Sequence, residues 1–244
     1  MSVAPIKLTP LPWDSWFFGF AVARLEGSLS SAEALQQALD EARCSQMHLI
    51  YAQCMSGDTA ARAACLAAGG HFVGAKRTYS RPIYEGLPRV RGPVHADLRP
   101  SSRRQLRLLA WQSSEYSRFR VDPQMPTGAC RRMFSIWISK SIHGELADVI
   151  LVVRDGAQIK GMITVKCDGD DGSIGLFAVD ARWRGSGIGR QLLAAAAAHC
   201  SAAGCHSLRV VAQVENHGAC RAYEANGFKH TEDQDIFHFW LSRT

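Results

Sequence analysis

Hydrophobic positions repeat every second residue in some segments and every three to four residues in others, and the two patterns alternate along the chain. In the first part they predict a strand at 17–24, a helix at 31–44, a strand at 48–54, a helix at 58–68 and a strand at 71–83. Ser30 or Ser31 is a typical N-cap, and Gly69 and Gly70 end the second helix. These elements predict a small α/β subdomain over residues 1–88.

The pattern changes after residues 84–93, a linker-like segment rich in glycine, proline and charge. Beyond it we predict a strand at 94–98, helices at 101–113 and 130–142, strands at 149–154, 158–167 and 172–179, a helix at 188–203, a strand at 207–214, a helix at 217–225, and a final pair of strands at 228–231 and 236–241. Asp155-Gly156 is typical of a tight hairpin. This order predicts an α/β domain over 93–244, with a mixed sheet and helices on both faces.

Composition is that of a globular protein, with 47% hydrophobic and 20% charged residues, so disorder is excluded as the main state. The formal net charge of +6 favours an acidic partner, and phosphate-bearing small molecules satisfy it as well as nucleic acid does. We expect no nucleic-acid partner, because the chain has no recognisable nucleic-acid motif and its charge is modest for its length.

The eight cysteines form no C-x-x-C pair and no Cys/His group with zinc spacing. We therefore expect reduced, mostly buried thiols and no metal site. The N-terminal residues lack a basic region followed by a long apolar core, and no segment approaches the ~20 apolar residues that span a bilayer. These features predict a cytoplasmic protein without membrane insertion.

A glycine-rich turn leads from the strand at 172–179 into the helix at 188–203. Gly185, Gly187 and Gly189 let the backbone approach an anion closely, and the start of the helix favours negative charge. Arg184 and Arg190 add positive charge. The turn differs from the dinucleotide and Walker patterns, so a tight connection without a ligand is the alternative interpretation of these residues.

The helix at 217–225 begins after Asn216, a good N-cap, and carries Tyr223 close to the same side two turns later. A tyrosine is protonated at neutral pH and can donate a proton to a leaving thiolate. From this helix alone, Tyr223 could equally be a packing aromatic and Asn216 a structural cap.

Two motifs carry a resemblance to the GNAT acetyltransferases. The run from Val179 to Leu193 resembles their motif A, with Arg184-Gly-Ser-Gly-Ile-Gly189 in the positions R/Q-x-x-G-x-G/A, and Asn216-x-x-Ala-x-x-x-Tyr223-x-x-x-Gly-Phe228 is similar to their motif B. The resemblance covers about 94–242 and implies a GNAT fold, acetyl-CoA as the acetyl donor, and Tyr223 as general acid. It implies cofactor contacts at Leu176, Phe177, Ala178, Val179, Arg184, Gly185, Ser186, Gly187, Ile188, Gly189, Arg190 and Asn216.

In that resemblance the backbone amides of 184–189 bind the pyrophosphate. The strand 176–179 pairs with the pantetheine arm and supplies an amide to the thioester carbonyl.

Fainter features concern the acceptor. The opening residues 11–19, the N-terminal subdomain and the run 117–123 resemble the TDP-fucosamine acetyltransferases and related nucleotide-sugar amine N-acetyltransferases. This implies a primary amine on a nucleotide-linked deoxyamino sugar, with Phe119, Asp122 and Trp137 as candidate acceptor residues. Arginines pair with phosphates and aromatics stack on a base or sugar, although core packing also explains these aromatics.

The implied reaction is direct attack by the amine in a ternary complex, without a cysteine intermediate. Glu115, Asp122, His143 or a water chain could accept the amine proton. Other acceptors stay open, namely a protein N-terminus, a lysine, a polyamine or an antibiotic, and so does a non-catalytic acyl-CoA-binding regulator. An exposed strand near the C-terminus would support a homodimer.

Overall fold

The computed structural model describes residues 6–87, 92–96 and 99–241. The first segment contains β1 (Lys7–Pro10), α1 (Pro12–Phe18), β2 (Val22–Glu26), α2 (Ala32–Cys44), β3 (Leu49–Met55), α3 (Thr59–Ala67) and β4 (His71–Pro82). It is followed by β5 (Val94–His95), α4 (Pro100–Ser113), α5 (Arg118–Val121), α6 (Ala129–Ile142), β6 (Val149–Asp155), β7 (Gln158–Asp168), β8 (Asp171–Val179), a 3-10 turn (Ala181–Trp183), α7 (Ile188–Ala202), β9 (Ser207–Gln213), α8 (His217–Ala225) and β10 (Lys229–Trp240).

Helix starts follow the capping residues in the sequence. Ser31 accepts the N–H of Ala34 at the start of α2, and Asp58 accepts the N–H of Ala61 at the start of α3. Such caps satisfy donors that a helix end leaves without partners. The predicted helices at 31–44 and 58–68 are confirmed to within about one residue at each end.

The strands of the described residues form one mixed sheet in the order β1-β2-β3-β10-β4-β9-β8-β7-β6-β5. The pairs β2–β3 and β8–β9 are parallel, and the remaining neighbours are antiparallel. The turn at Asp155-Gly156 joins β6 to β7 as a hairpin, as predicted. The predicted α/β fold with a mixed sheet is confirmed.

Hydrophobic residues pack on both faces of this sheet. On β6, Ile150 and Val152 face the cluster that contains α4 and α6, whereas Val149 and Leu151 face the cluster that contains α7 and α8. Successive strand side chains point to opposite faces, which explains this division. The helices α2 and α3 cover a third cluster, formed with β3 and β10.

Two predicted elements are wrong. The residues at 17–24 do not form one strand, because Pro12 starts α1 and Gly19, in the left-handed region at φ 78°, ends it after Phe18. The predicted pair at 228–231 and 236–241 is the single strand β10, which has register shifts against β4 after His230 and after Asp235. These irregularities break the alternating pattern without ending the strand.

The strand β10 lies between β3 and β4, so the N-terminal segment and the rest of the chain share one sheet. The division into 1–88 and 93–244 stays a prediction, and residues 88–91 of the linker and 97–98 of the predicted strand at 94–98 lie outside the described residues. Because β10 is paired on both sides, it offers no free edge to a second copy, and the homodimer stays a prediction without that support. Within the described ranges, no helix is both long and apolar enough to cross a membrane.

Candidate active site

An opening separates the second halves of β8 and β9. The two strands pair only from Asp171 with Ser207 to Ile174 with Val210. Beyond that point β8 continues to Val179 beside β7 alone. The walls of a cavity of about 600 Å³ include residues of both strands in this region, so the opening is accessible to a ligand.

A bulge in β8 directs its backbone toward this opening. Between the pairs Ile163–Phe177 and Val165–Ile174, Thr164 faces two residues of β8. The buried Thr164 Oγ1 accepts the N–H of Leu176 at 2.7 Å.

On the same strand, the N–H of Asp180 donates to the Lys160 carbonyl on β7 at 2.9 Å. Since successive N–H groups of a strand point in opposite directions, those of Phe177 and Val179 face the opening. The N–H of Leu176, one of the predicted cofactor contacts on this strand, already donates to Thr164 and is not available to a ligand.

The glycine-rich turn presents backbone donors at the start of α7. Gly185 and Gly187 have φ values of 79° and 82°, a left-handed conformation that favours glycine. The first N–H bonded within the helix is that of Gln191, which donates to the Gly187 carbonyl at 3.1 Å. The N–H groups of residues 188–190 therefore have no partner within the helix and can bind an anion.

A second cavity of about 510 Å³ lies between this turn and α8. The predicted cofactor residues on its walls are Phe177, Ala178, Val179, Arg184, Gly185, Ile188, Gly189 and Asn216. Ser113, Phe177, Asn216 and Ala219 line both cavities, so the two cavities adjoin each other. Ser186 and Arg190 lie on the exposed surface of the turn, and the Ser186 hydroxyl donates to the Trp183 carbonyl at 2.6 Å.

Tyr223 lies on α8, a helix with residues on the walls of both cavities. It lines the first cavity, and its ring centroid lies 5.9 Å from that of Phe177 and 5.7 Å from that of Phe228. Only 4% of its surface is exposed. Burial raises the pKa of the Tyr223 hydroxyl above its ordinary value, so this group is a proton donor at neutral pH. Asn216 caps the same helix by accepting the N–H of Ala219 at 3.1 Å.

The predicted acceptor residues separate into two groups. Phe119 and Trp137 line the first cavity, with ring centroids 6.3 Å apart. Asp122 does not line it. Its buried carboxylate lies 2.6 Å from Nδ1 of His238 and accepts the Trp240 Nε1–H at 3.0 Å. Although burial opposes ionisation, these hydrogen bonds lower the pKa of Asp122, whose structural effect is to tie the end of α5 to β10.

The structure does not bring the candidate bases to the first cavity. Glu115 lines the second cavity, and His143 is an exposed residue at the end of α6. Among the described residues, no Asp, Glu or His lines the first cavity. Of the candidates for accepting the amine proton, the water chain is the one compatible with this cavity, and it stays a proposal.

Sequence reasoning did not identify three polar residues on the wall of the first cavity. These are Gln53 on β3, Lys76 on β4 and Arg118 on α5. They come from distant parts of the chain, since β10 lies between β3 and β4 and α5 packs against β4. The sequence signal that points to Arg118 is its position directly before Phe119, a candidate acceptor residue.

The fold also brings together three cysteines that form no recognisable motif in the sequence. The sulfur atoms of Cys167, Cys200 and Cys205 lie within 4.8 Å of one another. Burial raises the pKa of the Cys167 thiol to about 11, which favours the neutral thiol. None of the three lines either cavity. The expectation of no metal site stays a prediction.

Comparison with known proteins agrees with this geometry. The sequence profile described as the acetyltransferase (GNAT) family matches residues 107–228. The dTDP-fucosamine acetyltransferase of Escherichia coli O6:H1 is 29% identical over 140 residues, which are 57% of this chain and 58% of that protein. The chain thus matches less than two thirds of the length of this relative.

Solved structures share the architecture. A GCN5-related N-acetyltransferase from Sphaerobacter thermophilus matches with a TM-score of 0.65 and 16% identity, over 97% of this chain and 76% of that one. A conserved protein of unknown function from Staphylococcus epidermidis matches with a TM-score of 0.71 and 12% identity, over 99% and 93% of the two chains. At these identities the likeness establishes the fold. Because the family profile covers half of the sequence and includes both motifs, the chain belongs to the acetyltransferase (GNAT) family, as its resemblance predicted.

Proposed function

We propose that the protein is an acetyl-CoA-dependent N-acetyltransferase that acts on the primary amine of a nucleotide-linked deoxyamino sugar of the TDP type. The observation that carries this proposal is the open edge of β8, whose residues line two adjoining cavities, one bordered by Tyr223 and the other by the glycine-rich turn. The identity to a dTDP-fucosamine acetyltransferase supports the class of acceptor.

The residues present fit acetyl-CoA. The open-edge N–H groups of Phe177 and Val179 match an arm that contains amides, and the free N–H groups of residues 188–190 match a pyrophosphate. When bound, acetyl-CoA supplies the thioester that the amine attacks. Arg184, an exposed cation on the wall of the second cavity, adds charge for the phosphates.

Each site residue has a distinct task in this proposal. The Phe177 N–H is positioned to donate to an acyl oxygen, and a fixed donor of this kind costs no reorganisation during the reaction. Asn216 uses its Oδ1 atom to cap α8, so its Nδ2 group is the part that can contact the arm. Tyr223 holds a proton on its phenolic oxygen and gives it to the departing sulfur.

The test measures acetyl-CoA turnover as thiol release, against TDP- and UDP-linked amino sugars with peptides and polyamines as controls. We expect saturable turnover of one nucleotide sugar. Tyr223→Phe should lower kcat by about 10²- to 10⁴-fold, the usual contribution of a general acid, and should leave acetyl-CoA binding intact. Tyr79→Phe is the matched control, because the Tyr79 hydroxyl donates to Glu224 at 2.8 Å and Tyr79 lines neither cavity.

Three results would contradict the proposal in different ways. Turnover of a peptide or polyamine in place of every nucleotide sugar would replace the acceptor class. Binding of acetyl-CoA without acetylation of any amine would favour an acyl-CoA-binding regulator. Equal activity of the Tyr223→Phe variant and the wild type would remove Tyr223 as the acid.

A further inference from the structure

The wall of the first cavity has an unbalanced charge. Its described lining includes the cations Arg118 and Lys76 and no carboxylate. Buried or half-buried cations are normally paired, because removing charge from water is costly. An anionic ligand group would supply the missing charge.

Arg118 is held in place by aromatic rings. Its guanidinium carbon lies 4.2 Å from the Tyr51 ring centroid and 4.5 Å from that of Phe119. In the described part of the chain, no carboxylate lies within ion-pair distance of this guanidinium. Asp14, which exerts an attractive field on Arg118, accepts the Tyr51 hydroxyl at 3.3 Å. Burial raises the pKa of the Asp14 carboxyl, and Asp14 does not line the first cavity.

Lys76 lies close enough to Arg118 to be affected by its charge. Burial, and then the positive charge of Arg118, lower the pKa of the Lys76 ammonium against the attraction of Glu232, which does not line the cavity. Its Nζ atom donates one hydrogen bond, to Gln53 Oε1 at 2.7 Å. An ammonium has three donors, so two stay available for a ligand.

We propose that Arg118 and Lys76 form an anion subsite that binds the diphosphate of the acceptor. An arginine offers a planar fork that can hold two phosphate oxygens, whereas a lysine acts as a point charge beside it. This inference rests on the proposed function, because it assigns the phosphate-binding residues of the same acceptor. Lys76 comes from the N-terminal segment, which thereby contributes directly to acceptor recognition.

The first experiment measures binding of inorganic pyrophosphate by calorimetry, with saturating coenzyme A present so that the glycine-rich turn is already filled. Arg118→Gln and Lys76→Met should each weaken pyrophosphate binding by about 10- to 100-fold, the usual effect of losing a hydrogen bond to a charged group. Arg120→Gln is the matched control, because Arg120 is exposed, lies over Trp111 and lines neither cavity. Retained affinity for coenzyme A shows that each variant is folded.

The second experiment compares KM for a TDP-linked amino sugar with KM for the free amino sugar. In the Arg118→Gln and Lys76→Met variants, KM should rise about 10- to 100-fold for the nucleotide sugar and stay unchanged for the free sugar. Arg118→Lys should give an intermediate value, since it keeps the charge and loses the fork.

These measurements separate the subsite from the proposed function. Pyrophosphate binding that depends on Arg118 and Lys76, without turnover of any nucleotide sugar, supports the subsite and rejects the acceptor. Unchanged pyrophosphate binding and unchanged KM in both variants would overturn the subsite. Binding of citrate in place of pyrophosphate would also overturn it, because the anion would then be a carboxylate.

Discussion

Replacing Thr164 by valine removes the hydroxyl that holds the bulge in β8. Thr164 is 1% exposed, and its Oγ1 atom accepts the Leu176 N–H at 2.7 Å. Valine has almost the same shape but cannot accept a hydrogen bond. The buried Leu176 N–H would then have no partner in the folded protein, unless the strand moves.

The expected cost follows from that lost bond. A buried donor without a partner destabilises a fold by about 1–3 kcal/mol. For a chain of this size each kcal/mol lowers Tm by about 2–4 °C, so the decrease should be about 2–12 °C. The N–H of Phe177 is next to the bulge, and loss of one oriented donor lowers kcat by about 10²- to 10³-fold in known enzymes. A displaced Phe177 donor should therefore lower kcat by about 10-fold or more.

Thermal unfolding and acetyl-transfer assays on Thr164→Val test this reasoning. Thr164→Ser is the matched control, because serine keeps the hydroxyl and loses only a methyl group, and it should retain most of the activity. If the valine variant were as stable and as active as the wild type, the Leu176 bond would not determine the shape of β8. If the serine variant lost as much activity as the valine variant, packing of the methyl group would matter more than the hydrogen bond.

Two other changes test the glycine-rich turn and the preceding 3-10 turn. Gly187→Ala introduces a side chain at φ 82° in open space, so backbone strain alone should lower the free energy of unfolding by about 1–2 kcal/mol in urea. The same strain should weaken acetyl-CoA binding in calorimetry. An unchanged urea midpoint would show that the turn relaxes freely. Hydrogen bonds from Arg182, opposed by burial, lower the pKa of Asp180 to about 2. A carboxyl with a lowered folded-state pKa stabilises the fold above its unfolded pKa of about 4 and loses this effect as pH decreases toward 2. Urea midpoints of Asp180→Asn should therefore decrease less than those of the wild type between pH 5 and pH 2, and parallel decreases would contradict this assignment.

The sequence predicts the parts of the site whose signals are local. The glycine-rich turn and Asn216 lie at helix starts, where a few neighbouring residues determine the backbone. Tyr223 lies on the helix that Asn216 caps. For such residues, spacing along the chain translates directly into position in space.

Residues that meet through sheet order could not be found in this way. Gln53 and Lys76 share a cavity wall because β10 pairs with both β3 and β4, and Arg118 joins them because α5 packs against β4. Nothing local in the sequence specifies that pairing. The surroundings of Asp122 could not be predicted for the same reason, since its partners His238 and Trp240 are far along the chain.

Aromatic and charged runs misled the assignment of two elements. Phe17 and Phe18 have high strand propensity, yet Pro12 and Gly19 set the limits of a helix around them. The polar middle of β10 resembles a turn, but Asp233 pairs with Arg77 at 2.6 Å and Asp235 pairs with Arg62. Paired charges of this kind are compatible with a continuous strand.

The central place of β10 also affects how the chain folds during synthesis. The hydrogen bond from Ser56 to Asp235 joins residues 179 positions apart. At roughly 5–20 residues per second, the ribosome makes Asp235 about 10–35 s after Ser56. Until then β3 and β4 have unpaired edges on the sides that β10 later fills. The nascent N-terminal segment therefore has strand edges that can pair with another chain until β10 is made.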